Sequence, residues 1–555
     1  MSFQRSSGIL LHPTSLPGRY GIGELGDEAF AFVDFLEAAG QTLWQVLPLG
    51  PTGFGDSPYA CFSAFAGNPL LVSLDSLVTD GLLSADDLND YPQLGEDRVN
   101  FGEVVKRKNA LLTKAFQTFQ KKPVPELAAG FEHFCAEEAA WLDDYALFRA
   151  LKDHHQGKAW NGWEKKYVIR ERQALHEAHE TLHDLVEAHK FAQYLFFKQW
   201  KKLKTYANDK GIKIIGDIPI FVAYDSTDVW TYPDLFKLDK DGNPTVVAGV
   251  PPDYFSETGQ LWGNPLYNWE NMKGIHYHWW VARLQNLLRL VDIIRLDHFR
   301  GFAACWEVPA NEKTAKNGKW VEVPGREFFT FLKETFEELP IIAEDLGVIT
   351  PDVAALRDDF EFPGMRILQF AFAGDAKNHD LPHNYLPNTV VYTGTHDNDT
   401  TVGWFKSEAN SGSTRSAQQI ERERNFCLEY LNIKGEEIHW DFIRTVMASV
   451  SVYAIVPVQD LLGLGSEARM NLPASEKGNW NWRYPVGALT DEIAGRLKRL
   501  GELYGRAPFP TEPEPEAEVP VETVEAEVVT PPGDETQDTA PVESPEPPTD
   551  SQTGY

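Results

Sequence analysis

Eight short apolar blocks punctuate the chain, and most of them end in polar or charged residues. They are SSGILLHP (6–13), TLWQVLPLGP (42–51), KIIGDIPIFV (213–222), DIIRLDHFRG (292–301), PIIAEDLGVI (340–349), MRILQFAF (365–372), TVVYTGTHDND (389–399) and SVYAIVPVQDLLG (451–463). Their Ile- and Val-rich centres do not alternate with polar positions, which is the pattern of parallel strands covered on both faces. Helical spacing fills several gaps. In 27–39, Phe30, Val33, Phe35 and Leu36 share one side, and in 166–208 Leu182, Leu185, Val186, Ala192, Leu195, Trp200 and Leu203 recur with the helical period until Gly211 ends the pattern. Strands alternating with helices predict right-handed βα units. Eight of them predict an α/β fold, a (β/α)8 TIM barrel whose chemistry sits at the C-terminal strand ends.

Two gaps are too long for plain crossovers. Residues 61–205 predict a large, mostly helical insertion after strand 2, and 223–290, rich in Pro, Gly and aromatics, predict a long loop region after strand 3. The barrel itself is then 1–60 and 206–505. Residues 506–555 are dominated by Pro, Glu, Thr and Val, and are expected to be a disordered acidic tail. A solubilising role is the simpler reading of that tail, with docking of an unknown partner as the alternative.

Composition narrows the function. Of the net charge of −31, thirteen negative charges lie in 511–555, and the rest of the chain stays at −18. Such acidity argues against nucleic acid as a partner and is compatible with a neutral substrate. No apolar run approaches the roughly 18 residues of a membrane span. The four cysteines, Cys61, Cys135, Cys305 and Cys427, are widely separated and form no Cys-x-x-Cys pair. Reduced thiols in the cytoplasm are expected, the more so because the first residues, MSFQRSSGILLHPTSLPG, lack the apolar stretch of a signal peptide.

Three acids directly follow apolar runs: Asp297 in IIRLD, Glu344 in PIIAE and Asp397 in VVYTGTHD. On a barrel all three crown one rim. Converging carboxyl groups are what glycosidic-bond chemistry requires, one protonating the leaving oxygen while a second attacks the anomeric carbon. Arg295, two residues before Asp297 on the same strand face, can keep a nucleophile ionised by charge pairing. Glu344 as the acid needs a raised pKa from apolar or like-charged surroundings. His298 and His396 are placed to bind sugar hydroxyls. Singly, each acid reads as a cap or a salt-bridged strand end, and Asp397 in THDND as an Asx-turn; together they point to catalysis.

Other motifs carry less. GIGELG (21–26) fits Gly-x-Gly-x-x-Gly but follows PTSLPGRY rather than a strand, so no dinucleotide cofactor is expected. His276 and His278 in HYHWW have no third ligand nearby, His183 and His189 sit in a helical pattern, and no metal site is expected. No Gly-x-Ser-x-Gly elbow is present.

The stretches SGILLHPTSLPGRYGIGELG, LWQVLPLGPTGFGDSPY, IIGDIPIFV, GVPPDYFSETGQLWGNPLYNW, IIRLDHFRGF, IIAEDLG, GTHDNDT and ARMNLPASEKGNWNWR span 7 to about 484. Together they resemble the 4-α-glucanotransferases of the amylomaltase (disproportionating enzyme) type, family 77 of the glycoside hydrolases. The resemblance implies transfer of a (1→4)-α-D-glucan segment between maltooligosaccharides or α-1,4-glucans with retained configuration. Asp297 matches the nucleophile, Glu344 the general acid/base and Asp397 the transition-state stabiliser. Arg295, His298, His396 and Asp217 match residues around the −1 sugar, and Tyr59 the aromatic platform under it. Trp262 looks like a lid residue on the acceptor side, and it and Tyr254 in the same loop are expected to bind substrate, with ordinary loop packing as the alternative. Arg469 and Asn471 resemble a further substrate-contacting loop, which here reads NLPASEKGN where the family leads one to expect a Pro-Gly pair. Two rivals use the same fold. An α-amylase-like hydrolase usually carries a β-sandwich after the barrel, and about 40 residues between the last strand and the tail are too few for one. A non-catalytic glucan-binding protein would lack one of the three acids.

Overall fold

Each of the eight apolar blocks contains or overlaps a barrel strand. In the computed structural model, which describes residues 3–252, 257–408, 415–475 and 477–507, these strands are β1 (Ser6–Leu10), β2 (Leu43–Gln45), β3 (Lys213–Pro219), β4 (Ile293–Asp297), β5 (Ile341–Ala343), β6 (Gly364–Ile367), β7 (Thr389–Tyr392) and β8 (Tyr453–Pro457). They lie in the order β6-β7-β8-β1-β2-β3-β4-β5, every ladder parallel. Between β5 and β6 the ladder gives way to a backbone bond from Ala343 N–H to the Pro363 carbonyl (2.9 Å). Asp345 completes this seam, its Oδ1 accepting from the Met365 N–H (2.6 Å) while Oδ2 takes Arg357. A side chain therefore supplies part of what the eighth ladder of a closed barrel would. At β1, Gly8 is obligatory because an added Cβ would lie 2.2 Å from the Leu43 carbonyl oxygen of β2.

The segment between β2 and β3 includes long helices Phe101–Lys121, Pro125–His154 and His183–Asp209. The continuous helical period of 166–208 is broken: Arg170 turns to φ 54°, and helices Arg172–Thr181 and His183–Asp209 meet at Leu182. The apolar stripe persists across the break because both helices press on one core, which runs without interruption from the barrel into these helices. Trp200 anchors the last of them, its indole N–H donating to the Leu290 carbonyl (2.8 Å) beside β4.

Residues 223–290 are more regular than a loop. Val246–Val250 and Gln260–Pro265 pair antiparallel and join Ala304–Pro309 and Lys319–Glu322 in a four-stranded sheet. The sheet is assembled from segments on either side of β4, so no local period announces it. Arg506 also departs from expectation. Composition assigns it to the tail, yet it is 1% exposed and donates to the carbonyls of Ser6, Met447, Ser449 and Ser451 at 2.7–3.1 Å, capping the entry to β1 and β8. The rest of the predicted tail, from 508 onward, lies outside the described residues.

One rim turn explains a missing glycine. Residues 472–475 form a turn closed by the Ser475 N–H on the Leu472 carbonyl (3.2 Å), with Pro473 first and Ala474 second at φ 62°. That left-handed conformation favours Gly, and an alanine there costs about 1 kcal/mol. Ala474→Gly is expected to raise the unfolding free energy by about 1 kcal/mol; chemical denaturation giving no gain would show that the turn is not strained.

Candidate active site

The C-terminal ends of β3, β4, β5 and β7 deliver the charged residues. On β4, Arg295 is 2% exposed, and its Nη1 donates both to Asp217 Oδ2 (2.6 Å) and to Asp297 Oδ1 (2.9 Å). Asp217 stands opposite Arg295 in the β3–β4 register. Tyr59, from the loop after β2, donates its hydroxyl to the same Asp217 oxygen (2.8 Å). Burial opposes the Arg295 cation, but Asp217 and then Asp297 hold its pKa well above the ordinary value. Burial likewise pushes the Asp217 carboxyl up, with Arg295 pulling it back.

Beyond Asp297 the chain turns sharply. His298 adopts φ 51°, ψ 51° and starts a short 3-10 turn over Phe299–Phe302. Its backbone N–H then points at Glu344, donating to Oε2 (2.6 Å), while Leu346 N–H donates to Oε1 (2.9 Å). These two bonds fix the Glu344 carboxyl next to Asp297. Burial and the Asp297 charge drive its pKa well above the usual carboxyl value, more strongly than Arg295 and the two N–H groups lower it. Adjacent strand ends thus carry one carboxyl group bonded to a buried cation and one whose pKa is raised by burial and its neighbour's charge.

After β7, His396 is 6% exposed and stacks on Tyr59, with ring centroids 5.2 Å apart and planes at 20°. Its Nε2 lies 3.4 Å from Asp397 Oδ2. Asn471 Nδ2 donates to Asp397 Oδ1 (2.6 Å), and Arg469 braces both residues through the carbonyls of Asp397 and Asn471 (2.7 Å each). The turn in THDND is made by Asn398, whose Oδ1 accepts from the Thr395 N–H and hydroxyl (2.9 Å each). Asp397 is left facing outward. Trp262 stands edge-on to His298 at 4.7 Å and is 38% exposed.

Asp297, His298, Asp397, Tyr59 and Trp262 line a single open groove of about 650 Å³. Trp480 lines it too, 5.6 Å from Tyr59 and 5.9 Å from His396 by ring centroids. Nothing in GNWNWR marks Trp480 as a groove residue, because its φ of 64° is a property of the backbone and not of the residue pattern. Tyr254 lies outside the described residues. GIGELG is accounted for by packing: a Cβ on Gly23 would meet the Pro13 carbonyl oxygen at 1.9 Å. His189 pairs with Asp153 (2.8 Å), and the His276 and His278 rings lie 6.4 Å apart. Among the described residues no group of three or more His, Cys, Asp or Glu is placed to hold a metal ion, and no helix is long and apolar enough to cross a membrane.

With this geometry in hand, comparison with known proteins identifies the lineage. A 4-alpha-glucanotransferase of Synechocystis sp. is 50% identical over 513 residues, covering 92% of this chain and 99% of its own. One from Thermus thermophilus is 50% identical over 514 residues, covering 91% of this chain and all of its own. The amylomaltase of Streptococcus agalactiae, solved in complex with acarbose, superposes with a TM-score of 0.86 at 42% identity, over 91% of this chain and all of that one. The profile of glycoside hydrolase family 77, described as 4-alpha-glucanotransferase, matches residues 11–490, and the chain belongs to that family.

Proposed function

We propose that this 4-alpha-glucanotransferase moves a segment of a (1→4)-α-D-glucan to the 4-hydroxyl of an acceptor glucose or glucan by double displacement on Asp297. The observation that carries the reading is the contrast between two neighbouring carboxyl groups. Asp297 is bonded to a buried guanidinium, whereas burial and the Asp297 charge raise the pKa of Glu344. That contrast supports Asp297 as nucleophile and Glu344 as acid.

In the first step Arg295 holds Asp297 Oδ1, leaving Oδ2 to attack the anomeric carbon. The glycosidic bond breaks, and Glu344 gives its proton to the leaving oxygen. In the second step the ionised Glu344 takes the proton of the acceptor 4-hydroxyl as that oxygen attacks the same carbon and releases Asp297. Asp397, held by Asn471, His396 and Arg469, grips hydroxyls of the sugar as positive charge develops at its ring, and His298 and Asp217 frame the same subsite. The faces of Tyr59, Trp262 and Trp480 suit the C–H surfaces of glucose units. The acarbose complex of the Streptococcus agalactiae relative supports an α-glucan of the maltooligosaccharide class in this groove. The four free cysteines, Cys61, Cys135, Cys305 and Cys427, fit a reducing cytoplasm.

Incubation with maltotriose is expected to give glucose and a ladder of longer maltooligosaccharides with total reducing ends constant. Rising reducing ends with only shorter products would make the enzyme a hydrolase. Asp297→Asn is expected to lower transfer by at least about 10³-fold with folding intact, and a variant keeping most of its activity would remove Asp297 from the mechanism.

The pH dependence follows from Glu344. Its proton must be present for bond cleavage, and its pKa is raised, so activity persists as pH climbs past the ordinary carboxyl range and falls only when Glu344 ionises. On an α-maltosyl fluoride donor, whose leaving group needs no proton, Glu344→Gln should still form the glycosyl-enzyme. Its rate of fluoride release should lose the alkaline limb seen with maltotriose; an unchanged limb would assign the acid elsewhere.

A further inference from the structure

Beside the groove lies a second, smaller space of about 30 Å³, lined by residues at and beyond the ends of β1, β2, β7 and β8. Three residues lining it carry polar atoms that are buried and have no hydrogen-bond partner in the protein: His12 Nδ1, Ser15 Oγ and His396 Nδ1. The residues are 5%, 1% and 6% exposed. The charged groups on the same walls are already engaged. Asp399 accepts from the Thr400 N–H (2.8 Å) and the Ser466 hydroxyl (2.7 Å), Asp460 accepts from Thr393 and Thr401, and Arg469 serves the carbonyls of Asp397 and Asn471.

A bare buried polar atom costs about 1–3 kcal/mol, and three around one space are a large penalty to leave in place. A water molecule needs about 10–15 Å³ and two to four polar partners, so this space suits one or two. His396 gives the arrangement its consequence. Burial holds the His396 pKa below the ordinary value, and burial with the neighbouring His396 takes His12 down to about 3, so both rings are neutral and each has one N–H. With its proton on Nε2, His396 donates toward Asp397 Oδ2 and the sugar; with the proton on Nδ1 it would turn a lone pair toward that carboxylate. Which nitrogen carries the proton is set by the bond the other one makes.

We propose that His12 and Ser15 hold a water in this space, that this water donates to His396 Nδ1, and that His12 is thereby a positioning residue fixing the Nε2–H form of His396 against Asp397. The inference rests on the roles given above to His396 and Asp397.

His12→Phe keeps the ring and removes its hydrogen bonding, whereas His12→Asn restores a polar atom near the Nδ1 position. With maltotriose, His12→Phe is expected to lower kcat about tenfold or more while KM stays within about twofold. His12→Asn is expected to recover most of that loss, and Ser15→Ala to lower kcat several-fold with KM held. A crystal structure of the unmodified enzyme is expected to place an ordered water within hydrogen-bond distance of all three atoms. An unchanged kcat in His12→Phe, His12→Asn no better than His12→Phe, or no ordered water there would each overturn the proposal. Should His12→Phe not fold, Ser15→Ala decides it, an unaltered kcat being the contrary result. All the rates are ratios to an enzyme that itself disproportionates. Failure here is therefore distinct from failure of the transfer reaction, which the unmodified enzyme and Asp297→Asn report.

Discussion

A guanidinium buried at the end of β4 is shared by carboxylates from two strands, and the active site is organised around it. Asp217 and Asp297 offset the cost of burying the Arg295 charge at 2% exposure. Asp297 in turn has its position and one oxygen fixed by Arg295, and Asp217 extends the arrangement to Tyr59 and so to the stack with His396. Buried ion pairs of this kind seldom add net stability, because desolvation consumes most of the attraction. What this one supplies is a preformed negative charge at a fixed point. The same charge raises the Glu344 pKa from the neighbouring strand end. Two neighbouring carboxyl groups thus stand in contrasting surroundings, Asp297 bonded to a buried guanidinium and Glu344 raised in pKa by burial and the Asp297 charge, the kind of contrast retaining glycosyl chemistry uses.

The barrel makes this possible because its parallel register brings residues distant in sequence to one rim. Asp217 and Arg295 are 78 positions apart and directly opposed. His298 turns into a left-handed conformation immediately after β4, which lets its N–H reach Glu344 rather than continue the strand. The arm carrying Arg469 and Asn471 arrives from beyond β8 and locks Asp397, so the three acids are oriented by hydrogen bonds from three separate segments. Orientation of this kind contributes to rate by avoiding reorganisation during the reaction.

Much of this was legible in the sequence, for identifiable reasons. Strands covered on both faces need continuous apolar runs, so all eight stood out, and an acid at the end of such a run is conspicuous. The pairing of Arg295 with Asp297 followed from side-chain alternation on a strand. The antiparallel sheet was not legible, since its four short strands lie on both sides of β4 and pair only in three dimensions. The helix break at Leu182 was hidden by an apolar stripe that continues through it. Arg506 carried the composition of the tail next to it, although its partners are carbonyls of the strand entries. Trp480 and His12 take their places in the fold through a positive φ and a small space beside His396, neither of which has a sequence period.

The central claim is a covalent glycosyl-enzyme on Asp297, and mass spectrometry tests it most directly. Glu344→Gln protein supplied with α-maltotriosyl fluoride and quenched in acid should gain the mass of one maltotriosyl unit. Peptide mapping should place that unit on Asp297, because without Glu344 the adduct forms faster than an acceptor removes it. Fluoride release with no sugar on the protein, or a sugar on any other residue, would contradict the account.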